Sequence, residues 1–138
     1  MAKVADRYFQ IDPWNIVEEG FAPEYGLVAE SVFSLGNEYM GVRGYFEEGY
    51  EGQSLLGSYF NGVYERRKAP GQGYKGIVQE TEFMVNSLDW LYIRLNADGE
   101  SLDLHTADFE KFQRRLDLKT GLLTRSFVWN TKKGITNK

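Results

Sequence analysis

Phe109-Glu110-Lys111-Phe112-Gln113-Arg114-Arg115-Leu116-Asp117-Leu118, Lys119-Thr120-Gly121, and Leu122-Leu123-Thr124-Arg125-Ser126-Phe127-Val128-Trp129 decide the fold. Two runs rich in apolar and aromatic residues flank a short turn that ends in glycine, the pattern of a β-hairpin. In the second run Leu123, Phe127 and Trp129 share one face with Arg125, as a strand's two-residue period requires. Downstream, Lys132-Lys133-Gly134 reads as another turn that opens into Ile135-Thr136. Upstream, Trp90 to Leu95 and Ser101 to His105 flank Asn96-Ala97-Asp98-Gly99, whose Asp-Gly pair suits a turn with positive φ. Three successive hairpins predict an antiparallel meander.

The first half reads more weakly. An irregular stretch through Asp12-Pro13-Trp14 precedes candidate strands at Leu27–Leu35, Tyr39–Phe46 and Leu55–Phe60. Gln72 to Gly76 reads as loop, and strand character returns from Ile77 to Val85. Composition agrees: 15 Gly stand against 3 Pro, beside 9 Tyr, 9 Phe and 3 Trp. Glycine supplies turns and bulges, and aromatics favour pleated, half-buried surfaces. The reading is an all-β, antiparallel fold occupying residues 1–138 as one domain. It is expected to be incomplete, because a turn launches a strand at Gly134 and only four residues follow.

Several function classes fall away on charge and composition. The net charge of −4 argues against a nucleic-acid partner. Arg66-Arg67-Lys68, before Ala69-Pro70-Gly71, reads as a solvated loop. With no cysteine there is no disulfide and no thiolate metal site. No apolar run follows the N-terminal Met1 to Arg7, and no stretch approaches the ~20 apolar residues of a membrane span, so the expectation is a cytoplasmic protein.

Motifs that would carry chemistry fail on context. Gly71-Gln72-Gly73-Tyr74-Lys75-Gly76 matches a dinucleotide fingerprint in letters, yet no buried strand precedes it and no helix follows. Gly36 to Val42 starts like a phosphate-binding loop, but Val42 stands where its lysine belongs. His105 is the only histidine and is expected on a strand, at the surface or hydrogen-bonded. The acids Glu18, Glu19, Glu30, Glu47, Glu48, Glu80, Glu82 and Asp103 offer no evident catalytic pair, and most are expected to face solvent. Arg43, set among apolar neighbours, must point outward or meet a buried carboxylate; Glu30, Glu47 and Glu48 are the candidates. Gly41 and Gly44 leave room for close backbone approach.

Ser34-Leu35-Gly36-Asn37-Glu38-Tyr39-Met40-Gly41-Val42-Arg43-Gly44 resembles the S-L-G-N-G-Y-x-G-x-R-G signature of family 65 glycoside hydrolases. Similarity continues through Phe46 to Gly52, Gly57 to Tyr64, Asn86 to Trp90 and Leu116 to Arg125, so it spans roughly Trp14 to Trp129. Glu38 departs from the signature, and would be strained if the family's glycine there has positive φ.

The resemblance implies a β-sandwich of super-sandwich type at the N-terminus of a disaccharide phosphorylase, ahead of a catalytic (α/α)6 barrel. It implies inverting phosphorolysis of an α-glucoside, with phosphate as co-substrate and no cofactor. The general acid and the phosphate site would lie in the barrel beyond residue 138, so this chain is expected to hold no catalytic residue and no metal. Expected partners are the remaining enzyme domains and a second subunit in a homodimer. Asn37 and Arg43 are the candidate sugar contacts, within the full-length enzyme. The alternative is an independent carbohydrate-binding module with exposed aromatic rings. Large aromatics usually fill cores, so Trp14, Trp90 and Trp129 are expected in the interior.

Overall fold

The computed structural model describes residues 9–68 and 80–137. The predicted loop at Gln72–Gly76 and the glycine-rich motif at 71–76 lie outside them. Described strands are β1 (Phe9–Ile11), β2 (Asn15–Glu19), β3 (Leu35–Gly36), β4 (Met40–Val42), β5 (Ser58–Lys68), β6 (Glu80–Asn86), β7 (Asn96–Ala97), β8 (Glu100–Ser101), β9 (Phe109–Asp117), β10 (Leu122–Thr131) and β11 (Gly134–Asn137). They form a five-stranded sheet in the order β1-β2-β9-β10-β11, a four-stranded sheet β3-β4-β5-β6 and the separate pair β7-β8. All pairings are antiparallel. Among the described residues the architecture is all-β and sandwich-like, without a closed barrel.

The deciding hairpin is β9–β10, with Asp117 opposite Leu122. Its turn is closed by Asp117 Oδ1, which accepts from the Lys119 N–H at 2.8 Å, and by Gly121 at φ 67°. The meander holds from β9 through β11, since Thr131 pairs with Gly134 across Lys132-Lys133. The Asp-Gly hairpin forms too, with Asp98 and Gly99 both at positive φ. It does not join the meander: its strands have two residues each and make their own sheet. The predicted strand Trp90–Leu95 is irregular instead, tied down by the Ile93 N–H donating to Glu47 O at 2.7 Å. His105 lies in a turn, not on a strand, its N–H donating to Asp103 Oδ1 at 2.9 Å.

Three further expectations fail. Leu27–Leu35 is mostly not strand: Gly26–Val32 is helix α1, after a 3-10 turn at Pro23–Tyr25. Ala29 and Phe33, four residues apart, are 1% and 0% exposed. That spacing places both on one helical face, and burying it outweighs the strand propensity of Val28, Val32 and Phe33. The stretch read as irregular through Trp14 contains β1, which is joined to β2 where Asp12 Oδ1 accepts from the N–H groups of Trp14 and Asn15 at 2.7 and 2.6 Å. Such an Asx turn replaces backbone bonds that Pro13 cannot donate. Arg66-Arg67-Lys68 ends strand β5 rather than lying in a loop; Arg66 pairs with Glu82 and Arg67 with Glu65.

The core lies on one face of the five-stranded sheet. One cluster joins Phe46, Leu102, Leu104, Phe112, Phe127 and Trp129; the other joins Phe9, Ala29, Phe33 and Leu116. Of the tryptophans only Trp129 is interior, whereas Trp14 is 52% and Trp90 37% exposed. A β-bulge aligns the β9 face. Between the pairs Glu110–Val128 and Gln113–Ser126, Lys111 and Phe112 stand opposite the single residue Phe127. The extra residue lets Phe109 and Phe112, three apart, both join the aromatic core. Lys111 carries the bend at φ 55°, a left-handed conformation that costs a side-chain-bearing residue about 1 kcal/mol or more. Lys111→Gly is therefore expected to raise the stability by about 1 kcal/mol, measured by urea unfolding. A loss of stability would contradict the assignment of strain to this residue.

Candidate functional site

The family-like stretch 34–44 forms the β3–β4 hairpin and the chain that leaves it. Gly36 pairs with Gly41, and the Asn37 N–H donates to Met40 O at 2.9 Å. Asn37 Oδ1 accepts from the N–H groups of Tyr39 and Met40 at 2.8 and 3.0 Å, so the side chain builds the turn. The non-glycine residues with positive φ are Leu56, Asp98 and Lys111 among those described, so Glu38 carries no such strain. Asn37 also lines an open, largely apolar cleft of about 300 Å³, shared with Leu35, Met40, Val42, Trp90 and Leu91. Arg43 does not line this cleft.

Arg43 finds a buried carboxylate, and the partner is Glu30. Its Nε lies 3.5 Å from Glu30 Oε2, and its second nitrogen donates to Ser31 Oγ at 2.6 Å. Glu30 further accepts from Ser54 Oγ and from the Leu55 N–H at 3.0 Å. One acid thus binds helix α1, the residue after β4 and the loop at 54–55. The structure does not bring Asn37 and Arg43 together into one pocket.

Two more ionic knots tie the five-stranded sheet to the segment 44–48. Arg114, 1% exposed on β9, donates from Nε and one terminal nitrogen to Glu18 Oε2 at 2.9 and 2.7 Å. Its other terminal nitrogen donates to Gly44 O at 2.8 Å. The guanidinium stacks over Phe33 and Phe46, at 4.3 and 5.1 Å from their ring centroids. Burial pulls its pKa down, and Glu18 acts in the opposite direction. Gly44 is required here: a Cβ would come within 2.6 Å of Phe33 Cβ. Arg125 on β10 binds both Glu47 and Glu48 and covers Phe46 from 5.0 Å.

The expectation that most acids face solvent therefore fails for the ones that matter. Glu18 and Glu30 are buried, and Glu47 and Glu48 are engaged by Arg125. Their oxygens accept hydrogen bonds from arginine, serine and backbone donors. These four acids act as structural hydrogen-bond acceptors that link elements of the domain. Arg114 escaped the sequence reading, although it alternates with Phe112 and Leu116 on the inner face. The face shared by Arg125 and Trp129 was the legible half of the same signal.

Tyr45 donates its hydroxyl proton to Asp89 Oδ1 at 2.6 Å. Burial, then that bond, push its pKa well above the usual phenol range. The folded state therefore holds this proton more tightly than the unfolded state, whose phenol titrates near pH 10. The resulting stability is complete below about pH 10 and is lost as pH rises beyond it. Unfolding followed across that range should show a shallower loss for Tyr45→Phe than for wild type. Equal slopes would exclude Tyr45 as a source of the alkaline loss.

This all-β domain, with its SLGN hairpin and its acids held by arginines, matches the family model "Glycosyl hydrolase family 65, N-terminal domain" over residues 16–138. The chain belongs to that family. Maltose phosphorylase of Bacillus subtilis (strain 168) is 40% identical over 126 residues, covering 91% of this chain and 17% of the relative. Kojibiose phosphorylase of Thermoanaerobacter brockii is 36% identical over 117 residues, covering 85% and 14%. A solved structure named "Putative kojibiose phosphorylase from human microbiome" superposes with TM-score 0.84 at 46% identity, covering 96% of this chain and 18% of that one. The chain thus spans less than a fifth of the length of each of these relatives.

Proposed function

We propose that this chain is the non-catalytic scaffold and interface domain of an inverting disaccharide phosphorylase, which splits an α-glucoside with phosphate as co-substrate. Support comes first from one observation: the four-stranded sheet is largely uncovered. Along β5 every residue from Phe60 to Lys68 is exposed, and on β6 Phe83 and Met84 are exposed as well. Met40 pairs with Phe60, and the Phe60 ring lies 4.6 Å from that of exposed Trp90. An exposed sheet that carries Phe60, Val63, Tyr64, Phe83 and Met84 suits burial against further protein. The remaining domains of the enzyme and a second subunit of a homodimer are its proposed partners, in the cytoplasm.

The ionic groups support the same reading, because Glu18, Glu30, Glu47 and Glu48 are committed to holding the domain together. In the whole enzyme Asn37 and Arg43 are proposed to approach the sugar, in addition to the bonds they make within this chain. A second reading, an independent carbohydrate-binding module, draws on exposed Trp14 and Trp90. Both rings already have neighbours: Lys119 Nζ lies 4.6 Å from the Trp14 ring, and Phe60 lies against Trp90. The scaffold reading is therefore preferred.

Incubating the 138-residue chain with maltose, kojibiose, nigerose or trehalose plus phosphate should release no glucose 1-phosphate, while its circular dichroism shows folded β structure. Turnover that survives removal of host phosphorylases would overturn the proposal, since it would require a catalytic acid among these residues.

A further inference from the structure

A small, walled cavity lies away from the β3–β4 hairpin, behind the segment 46–50. That segment is pinned by the Ile93 N–H donating to Glu47 O at 2.7 Å and by the Leu104 N–H donating to Gly49 O at 3.4 Å. The space left is about 140 Å³, walled by Phe46, Tyr50, Ser54, Leu56, Asp89 and Tyr92. This is below the ~300–1,000 Å³ of drug-sized sites, and suits one ring rather than a chain. We propose that it binds a single hexopyranose.

Four features carry this inference. The Tyr50 ring is fixed by edge contacts with Phe21, Phe46 and His105 at centroid separations of 5.8, 5.4 and 5.5 Å. The Tyr92 ring stands beside Gly49, where a Cβ would lie 3.9 Å from Tyr92 Cε2, an ordinary contact. Aromatic walls of this kind match the apolar C–H face of a pyranose.

Both described bonds to Asp89 fall on Oδ1, from Tyr45 Oη at 2.6 Å and the Leu91 N–H at 3.2 Å. Oδ2 is left as an acceptor for sugar hydroxyls, while the Ser54 hydroxyl in the same wall already donates to Glu30 and accepts from the Leu56 N–H at 3.3 Å. Leu56 stands at the wall with φ 50°, and left-handed apolar residues of this type gather at ligand clamps. The Asp89 carboxylate beside two aromatic rings also suits a cationic guest, which the choline arm of the test addresses. The inference does not depend on the scaffold reading: the cavity can bind sugar whether or not the chain performs phosphorolysis.

The test is amide-resolved NMR of the 138-residue chain titrated with D-glucose into tens of millimolar, with choline in parallel. Saturable shifts are expected at Gly49, Ser54, Asp89 and Tyr92, with affinity reduced at least about tenfold in Asp89→Asn and Tyr92→Ala. A dispersed spectrum certifies each variant as folded; Tyr92, 50% exposed, is the one that decides if Asp89→Asn is not. Absent shifts, shifts centred on Trp14 or Trp90, shifts unchanged in folded Tyr92→Ala, or an equal response to choline would each overturn the proposal.

Discussion

Arg114 reaches from the centre of the five-stranded sheet to bind Glu18 on β2, Gly44 O beyond β4, and the faces of Phe33 and Phe46. A buried guanidinium is tolerable only when its donors are met and its charge is balanced, because desolvating an ion costs several kcal/mol. Here those conditions dictate the neighbours. Glu18 must stand directly across from Arg114, as the β2–β9 register provides. The backbone at residue 44 must come close enough for its carbonyl to accept, and Gly44 permits that against Phe33.

The other knots extend the same constraint. Glu30 holds Arg43, Ser54 and the Leu55 N–H, so helix α1 and the loop after Gly52 cannot drift apart. Arg125 holds Glu47 and Glu48, which fixes Phe46 between two guanidiniums and places Tyr50 in the aromatic cluster. Rigid placement of residues 43–57 has a consequence for function. It sets both the hairpin that carries Asn37 and the wall of the small cavity, while the sheet on the outer side stays available for other protein surfaces. Carboxylates are abundant in this chain, but abundance says little about catalysis when each buried acid is held by cationic or hydroxyl donors.

How far the sequence could be read follows from the kind of signal each element carries. Strands β9 to β11 have alternation, a clear turn and length, and they were legible. Helix α1 was not, since its two valines and the Phe33 that caps it favour strand, and only tertiary burial of Ala29 and Phe33 selects the helix. The β1–β2 hairpin depended on an Asx turn at Asp12, a local bond with little compositional trace. The bulge at Lys111 shifts the inward phase of β9, so strict alternation misplaces either Phe109 or Phe112. Arg43 was read as needing a buried acid, and Glu30 was among the candidates; Arg114 was hidden inside a run that looked merely amphipathic. The family signature at 34–44 was the strongest functional signal, and it named the relatives without showing what its residues bond to.

The central claim is that the chain's buried charges hold its core together, and the Arg114–Glu18 pair, from which Arg114 also reaches the Gly44 carbonyl, tests this most directly. Unfolding free energies would be compared for wild type, Arg114→Met, Glu18→Leu and the double variant. The account predicts that either single change costs about 3–5 kcal/mol by stranding a buried charge, and that the double variant recovers most of the loss. Single variants within about 1 kcal/mol of wild type would contradict it, and would mean that the core is held by apolar packing alone.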